Sequence, residues 1–400
     1  MFNDAKEKSN FIIEDIKLRI QSVLPNGESG HVLHEPEFKG NELKYLKSCI
    51  DSGFVSSVGE FVSQFEEKLA AFTGSKYAVV TVNGTSALQL ALQVVDVGPE
   101  SEVILPSLTF VATANAVVYL GARPHFIDVG SARPSIDPLF LEQYLSEIVT
   151  LKEGRPFNKK TNLPISAIIP MHAFGHPADM QPIISIGEKF DIPVVEDAAE
   201  SLGSLLNAKH CGTFGKVSAL SFNGNKIITT GGGGAILTDD QEIACKAKHL
   251  STTAKVPHKW KFIHDEIGYN FRMPNINAAL GLAQLELLDE KIAKKRKLAE
   301  MYISAFKDCE FSKFLQEPPG SISNYWLNTI LLNECDPILQ EDLIKCLHNA
   351  HIFVRPIWEP LHSLAPFKKY FCSNMHNTEN LASRVLNLPS SPQLVTYKEL

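Results

Sequence analysis

Nothing in this chain is apolar for long enough to cross a bilayer as a helix. Its longest apolar runs, such as Ala112–Leu120, are short and interrupted. Export is not expected either: the opening Met-Phe-Asn-Asp-Ala-Lys-Glu-Lys is charged and lacks the apolar core of a secretory signal, which predicts a protein that stays in the cytoplasm. Excess positive charge is absent. Arginine and lysine total 38 against 45 acids, a net charge of −7, and they are scattered rather than striped, so nucleic acid is not an expected partner. Cys-x-x-Cys spacing is absent too. The seven cysteines (Cys49, Cys211, Cys245, Cys309, Cys335, Cys346 and Cys372) are odd in number and dispersed, which argues against a disulfide framework and against a zinc site.

What is present is alternation. Residues 11–22 carry apolar positions at helical spacing, and an irregular stretch runs on through Pro36. From Tyr77, short β-branched runs alternate with longer helical ones. Strands are expected at Tyr77–Val82, Glu102–Leu105, Pro124–Val129, Ser166–Ile169, Pro193–Glu196, Ser218–Phe222 and Ala235–Thr238. Helices are expected from Thr85, from Thr109 to Gly121, near Leu139–Ile148 and near Met180–Phe190. This pattern predicts an α/β fold with a mainly parallel sheet sandwiched by helices, and sites in such sheets lie at the carboxyl ends of the strands. A long helical pattern, Ala278–Met301, leads into a smaller C-terminal α/β domain with strands near Trp326–Leu332 and His351–Pro356. The expected division is an N-terminal extension (1–40), a large domain (41–276) and a small domain (277–400).

Lys226 is the most informative residue. An apolar segment, Ser218–Phe222, delivers it into a polar turn, and Gly231–Gly234 follow, letting backbone approach whatever the lysine holds. An amine that attacks a carbonyl must be partly withdrawn from water, and this setting suits that use. A surface lysine beside a flexible loop fits the segment alone equally well. Upstream, Asn83-Gly84-Thr85-Ser86-Ala87 joins a strand to a helix, where amides and hydroxyls can hold a phosphate or simply cap the helix. Val195-Glu196-Asp197 ends an apolar strand in two acids. One of them can face a buried cation or a protonated ring nitrogen, or cap the next helix. In Met171-His172-Ala173-Phe174-Gly175-His176-Pro177 the two histidines are four apart, but Gly175 and Pro177 make this a loop, so no metal site is expected. Gly268-Tyr269-Asn270-Phe271-Arg272 reads either as a subunit edge or as a helix-entry loop.

Taken in order, these segments resemble a fold-type I pyridoxal-phosphate enzyme over nearly the whole chain. Asn83–Ala87, Glu196–Ala199, Ser221-Phe222-Asn223-Gly224-Asn225-Lys226 and Gly268–Arg272 are similar to those of the DegT/DnrJ/StrS sugar aminotransferases. Leu33-His34-Glu35-Pro36, Val55–Gly59 and Thr252–His258 further resemble the LegC-like branch, related to legionaminic acid and bacillosamine synthesis. The resemblance implies that Lys226 carries pyridoxal phosphate and shuttles a proton, and that Asp197 pairs with the pyridine nitrogen. It implies that Phe110 stacks on the ring, that Gly84, Thr85, Ser86 and Ser221 hold the phosphate, and that Asn270 reaches it from a partner subunit in a homodimer. Glu200 and Asn223 join the cofactor contacts, Glu200 standing where several relatives carry histidine or glutamine. The implied reaction moves the amino group of L-glutamate to C4 of a nucleotide-linked 4-keto-6-deoxy sugar. Candidate substrate contacts are His172, Tyr325, Trp326, Arg355 and His362, with Arg355 suited to a diphosphate. A GDP-linked hexose, an oxidised octulosonate, or a non-catalytic sugar-nucleotide sensor are the alternatives; intact Lys226 and Asp197 speak against the last.

Overall fold

The computed structural model describes residues 5–25 and 30–395. The first four residues, on which the export expectation partly rests, lie outside that range.

Seven strands form the central sheet: β1 (Tyr77–Thr81), β2 (Glu102–Pro106), β3 (Arg123–Ile127), β4 (Ile165–Ile168), β5 (Val195–Asp197), β6 (Val217–Ser221) and β7 (Gly234–Thr238). β1, β7, β6 and β5 are neighbours in that order, and β4, β2 and β3 continue the sheet. Parallel bridges Ile168–Val194 and Met171–Asp197 join the two halves. Every pairing is parallel except those of β7, which runs antiparallel to both β1 and β6. The expected mainly parallel sheet is therefore observed, with one reversed strand, because the chain between Ser221 and Gly234 turns back without a crossover helix.

Both faces of the sheet are covered, and the alternation of side chains along the strands shows it. Val79, Ala219 and Ile236 pack in one core with α4 (Gly84–Gln93) and α5 (Val111–Tyr119). Their neighbours Val80, Leu220, Ala235 and Leu237 pack in another with Phe61, Phe65 and Leu69 of α3 (Glu60–Thr73). That helix and α2 (Glu42–Ser52) fill a stretch for which the sequence reading named no element, although Phe61, Phe65 and Leu69 recur four apart. The predicted helix Ala278–Met301 is two helices, Asn275–Glu286 and Leu288–Phe306, parted at Leu287, whose backbone (φ −107, ψ 10) leaves the helical region.

The C-terminal part holds an antiparallel sheet in which Ser312–Phe314, Asn328–Leu332, Val385–Leu388 and Arg355–Pro356 lie side by side. The last of these is much shorter than the strand expected over His351–Pro356. α1 (Ala5–Val23) buries Ile12, Ile16 and Ile20 against Leu298, Tyr302, Leu343 and Leu347 of this part, so the extension is anchored far along the chain. No helix among the described residues is long and apolar enough to cross a membrane.

Candidate active site

A cavity of about 420 Å³ opens at the carboxyl ends of β5 and β6, closed from the other side by the C-terminal part. β5 brings Asp197 to its floor. The carboxylate is 4% exposed; Oδ2 accepts a hydrogen bond from the Thr113 hydroxyl at 2.7 Å and Oδ1 one from the Ala199 amide at 3.2 Å. β6 ends at Ser221, and the turn beyond it, closed by the Lys226 amide on the Asn223 carbonyl at 3.0 Å, returns Lys226 toward Asp197. The Lys226 side chain is only 12% exposed. Its Nζ lies 3.2 Å from Glu200 Oε1 and 3.8 Å from the centre of the Trp326 ring. The amine is therefore withdrawn from bulk water, and the surface-lysine reading fails.

Glu200 is fastened from two sides. Its Oε1 faces Lys226, and its Oε2 accepts the Phe174 amide at 2.9 Å. Burial pushes the carboxyl above its usual range, and the Lys226 charge and the amide hydrogen bond pull against that. Trp326 is held in turn, its indole N–H donating to the Asn225 carbonyl at 2.8 Å.

The phosphate-type turn is shaped by glycine. At Gly84, an added Cβ would stand 2.8 Å from Ser221 Cβ, and at Gly234 it would meet the Asn83 carbonyl oxygen at 2.6 Å. Only glycine lets β6, β7 and the start of α4 converge here. Asn83 caps that helix, its side chain accepting the Ser86 amide at 2.8 Å, so Thr85 and Ser86 are not the caps. Gly84, Thr85 and Ser221 line the cavity at the positive end of α4. Together with a buried carboxylate and a buried amine, this donor set fits a phosphorylated pyridine aldehyde.

Of the predicted residues, the cavity gathers Gly84, Thr85, Phe110, Asp197, Glu200, Ser221, Asn223, Lys226, Trp326 and Arg355. Ser86 lies just behind, 7% exposed. Asn270 stays outside within its own chain; it is exposed and accepts from Arg272 Nε at 3.2 Å. Three substrate candidates belong elsewhere. His172 is fully buried, its Nδ1 accepting the Ala178 amide and its Nε2 donating to Glu196 at 2.9 Å, because it sits on the opposite face of β5 from Asp197. Tyr325 is a core residue, 3% exposed, whose hydroxyl accepts the Glu317 amide. His362 bonds the Ser107 hydroxyl at 2.8 Å and lines a different surface pocket. The sequence reading passed over Thr113, the hydroxyl on Asp197, as well as Phe174 and Asn225. Thr113 lies four residues after Thr109 on the helix led by Phe110, a spacing that would have put both hydroxyls on one face.

This architecture and site define a fold-type I pyridoxal-phosphate-dependent transferase. The profile of the DegT/DnrJ/EryC1/StrS aminotransferase family matches residues 36–398, and the chain belongs to that family. It is 36% identical to EpsN of Bacillus subtilis over 90% of this chain and 91% of that one. It is also 35% identical to the GDP-perosamine synthase of Escherichia coli O157:H7, over 90% and 93%. A crystal structure of a DegT/DnrJ/EryC1/StrS aminotransferase from Brucella abortus superposes with a TM-score of 0.80 at 30% identity, covering 90% of this chain and 92% of that one. The protein is accordingly a sugar aminotransferase that uses pyridoxal phosphate.

Proposed function

We propose that this enzyme transfers the amino group of L-glutamate to C4 of a UDP-linked 4-keto-6-deoxy-N-acetylhexosamine, within the LegC-like branch of the family. Its product would feed nonulosonic acid, lipopolysaccharide or other surface-glycan synthesis in the cytoplasm. The observation that carries the aminotransferase part of this reading is the grouping, in one cavity, of a withdrawn amine (Lys226), a buried carboxylate (Asp197) and a glycine-shaped turn at a helix N-terminus. The branch and its UDP-linked substrate rest on the resemblance of Leu33–Pro36, Val55–Gly59 and Thr252–His258. The bound cofactor supplies an electron sink that stabilises the carbanion left when the amino acid loses its Cα proton. Lys226 would hold the cofactor, and its Nζ would take up that Cα proton and return one to the sugar carbon. Asp197, fixed by Thr113, holds the pyridine nitrogen in its protonated form. Phe110 covers the ring, while Gly84, Thr85, Ser86 and Ser221 hold the phosphate, with Asn223 at the mouth. Glu200 keeps the lysine amine oriented. Trp326 and Arg355, from the C-terminal part, cover the sugar nucleotide, Arg355 against its diphosphate.

We read the working unit as a homodimer in which Asn270 of each subunit completes the other's phosphate site. Trp260, Phe262 and Ile267, 75%, 81% and 87% exposed on the segment that precedes Asn270 in the chain, support a covered face. The division into 1–40, 41–276 and 277–400 is part of the same reading, with the extension carried on the small domain. A second substrate reading, a GDP-linked 4-keto-6-deoxyhexose, is favoured by the relatives named GDP-perosamine synthase. A panel of UDP- and GDP-linked keto-sugars with glutamate as donor, followed by mass spectrometry, separates the two. Nitrogen gained only by a GDP sugar overturns the first.

A further inference from the structure

A second cavity, of about 590 Å³, lies on the far side of the loop that follows β4 and is lined by residues the active site does not use. One wall is the short strand Arg133–Ile136. Arg133, Ser135 and the buried Ile136 all contribute to the cavity's lining, and only Pro134 is turned away. Arg133 Nη1 is shut off from solvent with no hydrogen-bond partner, and Arg133 has no carboxylate at ion-pair distance among the described residues. Ser135 Oγ is likewise buried and unpartnered. His176, 7% exposed and packed edge-on against Tyr325, does not line the cavity. The opposite wall is the start of the helix Met180–Phe190, whose leading residue Asp179 makes no side-chain cap, leaving the positive helix end open. Nearby acids are engaged or in solvent. Asp137 accepts the amides of Leu139 and Phe140, Glu317 is bound by Arg296 at 2.7 Å, and Asp179 is exposed.

Two unpartnered donors, Arg133 Nη1 and Ser135 Oγ, on residues that line one space are costly unless something accepts from them. We propose that this cavity is a second ligand site, which binds a small molecule through an oxyanion, phosphate or carboxylate, held by Arg133 and Ser135 beside the uncapped start of the helix Met180–Phe190. The rest of the lining suits an apolar or ring-shaped body, since Pro138, Pro177, Pro182, Pro318 and Pro319 present flat hydrocarbon faces. The site is wired to the catalytic one by a single short loop. Pro177 and Asp179 line the second cavity, whereas Phe174, at a positive φ of 60°, lines the first and gives its amide to Glu200.

The test uses the full-length enzyme saturated with pyridoxal phosphate, so that its own phosphate cradle is filled. Inorganic phosphate is the probe in one arm, read by phosphorus NMR line broadening, and acetate in the other, read by saturation transfer. At least one probe is expected to bind wild type. Arg133→Gln should weaken that binding about tenfold and Ser135→Ala about threefold, with the visible absorption of the bound cofactor unchanged. Binding of phosphate alone assigns a phosphorylated ligand, and binding of acetate alone a carboxylate. Equal binding in wild type and Arg133→Gln, or none by either probe, overturns the proposal. No sugar substrate enters the experiment, so its outcome is independent of the substrate reading above.

Discussion

Glu196 and Asp197 are adjacent acids on one strand, and they live in different worlds. Behind the sheet, Glu196 is saturated. Its oxygens accept from the Gly212, Phe214 and Gly215 amides and from His172, whose other nitrogen is also engaged. In front, Asp197 and Glu200 keep capacity in reserve, facing a cavity and the Lys226 amine. Both faces bury charge; only the front leaves hydrogen-bonding valence for a ligand. Unspent valence, rather than burial or acidity, separates the working carboxylate from the structural one.

The comparison can be broken by exchanging losses between the two faces. Lys226→Ala carries the largest expected effect: turnover should fall by about 10⁴-fold or more, and the visible absorption of the bound cofactor should vanish while the melting temperature hardly moves. Asp197→Asn should lower kcat by about 10²–10³-fold with little loss of fold, measured by steady-state kinetics beside circular dichroism. Glu196→Gln should reverse that ranking, costing about 3 kcal/mol of stability in a denaturant titration because it unpairs buried partners. The Glu196 carboxyl lies below its ordinary range: burial raises it, and the hydrogen bonds from His172 and the loop amides outweigh burial. A depressed carboxyl stabilises the fold above its unfolded pKa, and that contribution is lost as pH falls through the folded value. The Glu196→Gln deficit should therefore be full at neutral pH and shrink on acidification below about pH 4. An unchanged deficit at low pH would contradict the assignment. Arg355→Ala should raise KM for the sugar nucleotide about tenfold and leave the glutamate half-reaction alone. Smallest is Tyr325→Phe, expected to cost about 1 kcal/mol of stability and nothing in turnover.

Much of the front face was legible in the sequence. Period-two and helical patterns located the strands, and a ligand site belongs at their carboxyl ends, so Asp197, Ser221 and Lys226 fell into place by position. The failures share a cause. Tyr325 is one step from the cavity residue Trp326, and a one-residue step along the chain changes faces. His172 borders and His362 lies within the tight turns Ala173–Gly175 and Leu361–Ser363, close in sequence to the cavity residues Phe174 and Trp358, and side-chain directions there cannot be read from a loop sequence. Thr113 and Asn225 were missed because their roles are to hold other residues, visible only once Asp197 and Trp326 have positions. The antiparallel sense of β7 was hidden because the glycine run gives flexibility but not direction. Glu42–Ser52 and Glu60–Thr73 were overlooked beneath their charged faces.

That reversed strand sets an order of assembly. Among the described residues β1 forms a ladder only with β7, apart from a single bridge from Thr81 to Arg272, and Tyr77 pairs with Thr238 across nearly the whole intervening domain. On a ribosome the first strand must wait, edge exposed, until the last has emerged, and long-range pairing of this kind is slow. The Asn83–Gly84 turn hangs from β1 and is buttressed by Gly234, so the phosphate cradle is among the last parts to close. Competence to capture the cofactor thus reports completion of the domain, and a chain arrested before Gly234 would have the acid and the lysine yet nowhere to keep what they act through.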